Sequence, residues 1–270
     1  MPAFYSCISK EYTNQGEYLL NIPINENKFN IGTSGWSYAG WLGNFYPEKI
    51  KSPLVLPYYA TLLDSVELNN SFYRIPSKKN VENWVEITPP HFVFSCKANR
   101  YITHLKKLED TTETVGKLLD AFSNFEEKLG PILFQFPPYW PIDIPRLHAF
   151  IKHLPKKYLY TFEFRHKSWF CDELYELLNI YNLSLCFYNH KMFWSPEIIT
   201  GPFIYIRMHG PNEEAYQGSY EESILQEYAQ KFIKWREEGK AVYCYFDNDE
   251  KAQAPINAQR LRAILKDDIS

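Results

Sequence analysis

The eight residues FIYIRMHG, Phe203 to Gly210, decide the fold. Ile204, Ile206 and Met208 alternate with Tyr205, Arg207 and His209, so an extended chain carries an apolar row on one face and a polar row on the other. The stretch LYTFEFR, Leu159 to Arg165, repeats the device, with Phe162 and Phe164 opposing Glu163 and Arg165. Apolar faces of this kind pack against helices. Charged faces need an enclosure in which they meet each other or a ligand.

Working outward, similar β-rich runs occur at Phe29 to Ser34, Ser65 to Asn69, Phe92 to Lys97, Pro131 to Phe136, Leu183 to Phe187 and Ala241 to Asp247. Helix-like stretches lie between them: Pro53 to Leu63, Lys78 to Ile87, Thr111 to Lys128, Pro145 to His153, Asp172 to Ile180, Glu221 to Glu237 and Pro255 to Leu265. Strand starts recur roughly every 30 residues, the length of one βα unit. The alternation predicts the α/β class and, with eight repeats, a closed (β/α)8 TIM barrel formed as a single domain over residues 29–270. Tyr188 to Pro202 leaves little room for a helix, so the sixth is predicted short or irregular. An open doubly wound sheet is the rival architecture, and the chain lacks its glycine-rich phosphate loop. Residues 1–28 form an amino-terminal extension with no assigned role.

Composition narrows the function classes. The 7 Trp, 21 Tyr and 19 Phe make up 17% of 270 residues, enough apolar area for a large core and too much for a disordered chain. A net charge of -3 excludes bulk-charge binding of nucleic acid, so any such contact needs a local patch. Cys7, Cys96, Cys171, Cys186 and Cys244 are scattered, without a zinc-type spacing or a disulfide framework, which suits reduced thiols in a cytoplasmic protein. Met1 to Asn30 has mixed charge and no apolar run of signal-peptide length, and no membrane span is expected.

In a barrel the site lies at the carboxyl ends of the strands, and parity selects what points inward. The rule selects Glu67 and Asn69, Lys97, Gln135, Glu163 and Arg165, Tyr188, Arg207 and His209, and Asp247 with Asp249. We take Glu67, Glu163, His209 and Asp247 as catalytic candidates, with arginine-paired Glu163 as base or nucleophile and Glu67 as acid. Substrate-binding candidates are Trp36, Tyr38, Asn69, Tyr73, Lys97, Gln135, Arg165, Arg207 and Asp249, because aromatic faces stack on sugars and bases while guanidinium groups bind anions. The plain alternative is an ion-pair network that closes on itself. No HxxH or HExxH spacing assigns a metal; a divalent ion, if held, would take Glu67, Glu163, His209 and Asp247. No Ser-His-Asp elbow is present.

The segments IGTSGWSYAGWLGNFYP, SVELNNSFYRIP, FVFSCKANRYITH, GPILFQFPP, FEFRHKSWF, IYIRMHG and VYCYFDND, in that order, resemble the YecE-like family, catalogued as domain of unknown function 72. The resemblance runs from about Ile31 to about Leu265. It implies a TIM barrel similar in architecture to the xylose-isomerase-like group that includes endonuclease IV, and it assigns no activity. The functional expectation is a hydrolase acting on a phosphorylated sugar or a nucleic-acid-derived substrate. The rival is a non-enzymatic binding or regulatory module for a nucleotide or single strand. Either takes a small anionic or sugar-like ligand; the oligomeric state stays open.

Overall fold

A computed structural model describes residues 29–267. The expected extension 1–28, with Cys7, lies outside the described residues. Strands β1 (Phe29–Ser34), β2 (Ser65–Leu68), β3 (Val93–Lys97), β4 (Leu129–Phe136), β5 (Tyr160–Phe164), β6 (Ser184–His190), β8 (Phe203–Met208) and β9 (Ala241–Phe246) form one parallel sheet. It closes through the β5–β6 and β1–β9 pairings into an eight-stranded barrel. Helices α1 (Val55–Leu62), α2 (Asn70–Tyr73), α3 (Lys78–Glu86), α4 (Thr112–Ser123), α5 (Ile144–Ile151), α6 (Asp172–Ile180), α7 (Glu222–Glu237) and α8 (Gln253–Asp267) follow the strands. The chain is thus a TIM-like (β/α)8 domain.

The parity rule holds on both faces. Outward-pointing Phe134, Phe136, Phe162 and Phe164 stack in series, with Phe134 and Phe162 centroids 5.5 Å apart at 17°, and they join Trp140 and Trp169 in the layer between sheet and helices. The inner face holds a smaller cluster that includes Leu133, Cys186, Phe203, Tyr205, Tyr243 and Tyr245. Tyr245 is satisfied by inner hydroxyls: its Oη lies 2.6 Å from Ser65 Oγ and 2.7 Å from Ser95 Oγ. This plug fills the barrel interior beneath the carboxyl ends of the strands.

Two helices depart from expectation for local reasons. The predicted Thr111 to Lys128 helix stops at Ser123, because Asn124 Nδ2 donates to the carbonyls of Asp120 and Ala121 and caps the end. A turn then releases Lys128, whose ammonium caps α3 by donating to the Val85 and Thr88 carbonyls at 2.6 and 2.8 Å. Between β6 and β8 there is no helix. A two-residue strand, β7 (Phe193–Trp194), pairs antiparallel with the end of β6. Thr200 Oγ1 then donates to Leu183 O at 2.8 Å and accepts from Leu185 N at 2.9 Å, so coil covers the strand edge where a helix was expected. Gly201 makes that approach possible, since it has φ +67° and a Cβ there would lie 2.5 Å from the Leu183 carbonyl carbon.

Candidate functional site

Arg207, at the upper end of β8, is the centre of the barrel mouth and is 2% exposed. Its Nε donates to both oxygens of Glu67 at 3.1 and 3.0 Å, and its Nη2 reaches Glu67 Oε1 at 2.9 Å and Asp247 Oδ2 at 3.2 Å. Nη1 donates to Glu163 Oε2 at 3.1 Å. Parity and register explain the convergence: Glu67, Glu163 and Arg207 each project inward near the top of their strands, one layer above the tyrosine plug. A guanidinium with fixed planar donors suits three carboxylates better than an ammonium would.

The two glutamates are fully engaged. Glu67 accepts further hydrogen bonds from Ser34 Oγ at 2.6 Å and from Tyr205 Oη at 2.7 Å. Burial pushes its carboxyl up, but the charges of Arg207 and Lys97 and these hydrogen bonds outweigh it and hold the group below its ordinary range. Glu163 is bound by Arg165 Nε as well as by Arg207. Burial is again overcome, chiefly by Arg165 and Arg207, and the carboxyl is held at about 2. The expectation that Glu67 serves as the acid is therefore corrected: it is ionised like Glu163 and has no proton to give.

His209 is locked as well. Its Nδ1 lies 2.8 Å from the main-chain oxygen of Asn189, which can only accept, so the proton sits on Nδ1. Nε2 then accepts from Arg165 Nη2 and Arg207 Nη1, both at 2.8 Å. Burial and the two guanidinium charges push the imidazolium pKa well down. Its lone pair is occupied. The four residues expected to hold a divalent ion converge on a guanidinium instead, and no group of three or more His, Cys, Asp or Glu among the described residues could hold a metal.

Other groups at the mouth keep unused capacity. Arg165 stacks on Tyr188, with Cζ 4.4 Å from the ring centroid; Nε and Nη2 are engaged, and Nη1 has no partner among the described residues. Lys97 Nζ sits 4.4 Å from the Phe72 ring centroid, without a hydrogen bond or ion pair to a described residue. Burial and the charge of Arg207 pull its ammonium down to about 8, against the acids Glu163, Glu67 and Asp247. Asn69 Oδ1 and Asp249 Oδ1 are buried and unpartnered. Burial lifts the Asp247 carboxyl to about 6 despite Arg207, and burial with the charge of Asp247 lifts Asp249 to about 8. Gln135 pairs in register with Glu163 on the same rim.

The aromatic candidates divide. Tyr38 closes over the end of β1, its hydroxyl donating to Ser34 O beside Asp249. Trp36 does not reach the ring of charge, because its indole packs edge-on against Trp84 of α3 at 5.5 Å. Tyr73 is 71% exposed, with its ring 5.1 Å from that of Phe72. Trp41, Phe45 and Tyr46 pack on each other and on α1. Sequence reasoning missed Ser34 and Asn189. Inward parity at the end of β1 could have found Ser34; nothing in sequence signals that the Asn189 carbonyl would set the histidine tautomer.

A family model described as "Protein of unknown function DUF72" matches residues 30–269. The chain belongs to the DUF72 family. Among curated DUF72 relatives, the UPF0759 protein YunF of Bacillus subtilis (strain 168) is 26% identical over 268 residues, covering 87% of this chain and 94% of that protein. The UPF0759 protein YecE of Escherichia coli (strain K12) is 31% identical over 143 residues, 52% of this chain and 49% of YecE. The crystal structure of a DUF72 family protein, TM1631, from Thermotoga maritima MSB8 superposes with TM-score 0.80 and 30% identity, covering 88% of this chain and 99% of that one. A second, EF0366 from Enterococcus faecalis V583, shares the fold at TM-score 0.76 and 21% identity, covering 88% and 96%. No helix among the described residues is long and apolar enough to cross a membrane.

Proposed function

We propose that the barrel mouth binds a small anionic, sugar-like molecule and acts on it by metal-free acid–base chemistry, as a hydrolase of a phosphorylated sugar or nucleic-acid-derived compound. One observation carries the binding: Arg165 Nη1 and Lys97 Nζ, at the carboxyl ends of β5 and β3, hold unused donors, and Asn69 Oδ1 and Asp249 Oδ1, just past the carboxyl ends of β2 and β9, are buried and unpartnered. Buried polar atoms are normally paired, so an unpaired set of both signs suits a ligand that carries acceptors and hydroxyls. The chemistry rests on two neighbouring buried carboxyls. Burial raises both Asp247 and Asp249, and the charge of Asp247 raises Asp249 further, so the pair keeps a proton to higher pH than ordinary carboxylates do. One can donate and the other accept.

A second reading is a non-enzymatic module for a nucleotide or single strand, favoured by the full engagement of Glu67, Glu163 and His209 in the ion network. Calorimetric titration with inorganic phosphate and ribose 5-phosphate, paired with an assay for released phosphate, separates the two. The enzyme reading expects binding plus turnover that falls roughly 100-fold or more in Asp249→Asn, with binding retained. Binding without turnover supports the module. Absence of binding to either compound removes both.

A further inference from the structure

Lys97 differs from the other ammonium groups that the fold buries in part. Lys128 is saturated by the carbonyl oxygens of Val85 and Thr88 and the Thr88 hydroxyl. Lys231 pairs with Glu197 and Glu227. Lys97, by contrast, ends strand β3 at the barrel mouth, inside a ring of charge, yet makes no hydrogen bond or ion pair with any described residue. The carboxylates nearest in charge, Glu67 and Glu163, are already taken by Arg207 and Arg165. Phe72 offers a π face on one side of the amine, and the cations of the network bear on it from the barrel. This is the setting in which a lysine loses its proton readily and becomes a nucleophile.

We propose that Lys97 Nζ forms an imine with the carbonyl carbon of a small anionic aldehyde or ketone held at the mouth, the anion on the free donor of Arg165. The inference rests on the anion-binding reading above and is independent of hydrolysis. The nitrogen lone pair attacks the carbonyl carbon and a proton passes from nitrogen to oxygen, giving a carbinolamine. The C–O bond then breaks, the second nitrogen proton leaves with the hydroxyl as water, and a C=N bond remains. Atoms balance without an oxidant or co-reactant. With its ammonium pulled down to about 8, Lys97 holds roughly three hundredfold more neutral amine at pH 7 than an ordinary lysine. Hydrolysis of the imine returns the free amine, so the class of reaction served is one that needs electrons withdrawn from the carbon beside a carbonyl.

The test uses the full chain, glyceraldehyde 3-phosphate and sodium borohydride, which reduces an imine to a stable secondary amine, with the modified peptide located by mass spectrometry. Lys97 is expected to be trapped at least about tenfold faster than any other lysine. Inorganic phosphate should slow that trapping, and Lys97→Arg, checked for an unchanged melting temperature, should abolish the fast phase. Label spread over exposed lysines, with Lys97 no faster than the rest, overturns the proposal. Phosphate binding measured by calorimetry separates the two claims. If phosphate binds and Lys97 is not trapped, the imine fails and the anion site stands. If Lys97 is trapped rapidly but phosphate neither binds nor protects, the amine chemistry stands and the anion site fails.

Discussion

Nδ1 of His209 donates to the main-chain oxygen of Asn189 at 2.8 Å, and that one hydrogen bond decides what the histidine is for. It presents Nε2 as an acceptor to two guanidinium groups, so the imidazole links Arg165 to Arg207 rather than moving protons. Ring-nitrogen NMR shifts should accordingly show His209 neutral, as the Nδ1-H tautomer, throughout pH 5 to 8. A titration midpoint near the ordinary histidine value would contradict this.

The acids of the network predict a structural phenotype. Glu67→Gln leaves Arg207 short of one countercharge in a buried site, and breaking a buried pair in this way costs about 3–5 kcal/mol. A fall in chemical-denaturation midpoint with an unchanged slope is the expected result, and Glu163→Gln should behave alike. Midpoints equal to the wild type would show that the network does not hold the barrel top together.

Stability should pass through a maximum close to neutral pH. Glu163 is held at about 2 from an ordinary 4.5, so its contribution is full above about 4.5 and is lost as pH falls toward 2. Asp247 and Asp249 are raised from 3.8 to about 6 and about 8, so their protonated forms favour folding, and that contribution is lost as pH rises from about 3.8 to those values. Neutral His209, His104 and His190, all pushed down from 6.5 by burial, act the other way, and their contribution grows as pH rises toward 6.5. Melting temperatures measured from pH 3 to 9 should therefore peak between about pH 6 and 7, and Asp249→Asn should flatten the limb just above the peak. A plateau extending to pH 9 in the wild type would remove the claim.

Much of this was legible in the sequence, and for one physical reason. Strand parity is strict, so the alternation in Phe203 to Gly210 and Leu159 to Arg165 puts Glu163 and Arg207 on the inner face, and the same rule applied to the neighbouring strands puts Glu67 and Asp247 there. Parity says which side a residue faces. It does not say whom it meets: the expectation that Glu67 is the less compensated acid did not foresee Arg207, Tyr205 and Ser34, from two other strands, all donating to its oxygens. Loop residues lack even parity, and Trp36 accordingly turned out to pack on α3 rather than at the mouth. The missing sixth helix was visible as a short gap, but the Thr200 hydroxyl that replaces it was not.

On the proposed function the saturated network supports the mouth while the unpaired groups beside it bind. Calorimetric titration of inorganic phosphate into wild type and Lys97→Met, each checked for a cooperative thermal transition, is the sharpest test, because Lys97 makes no hydrogen bond or ion pair with a described residue. Binding by the wild type, weakened roughly ten- to a hundredfold in the variant by the loss of one charged hydrogen bond, is the expected result. Equal affinity in the two proteins, or no binding by the wild type at millimolar phosphate, would contradict it.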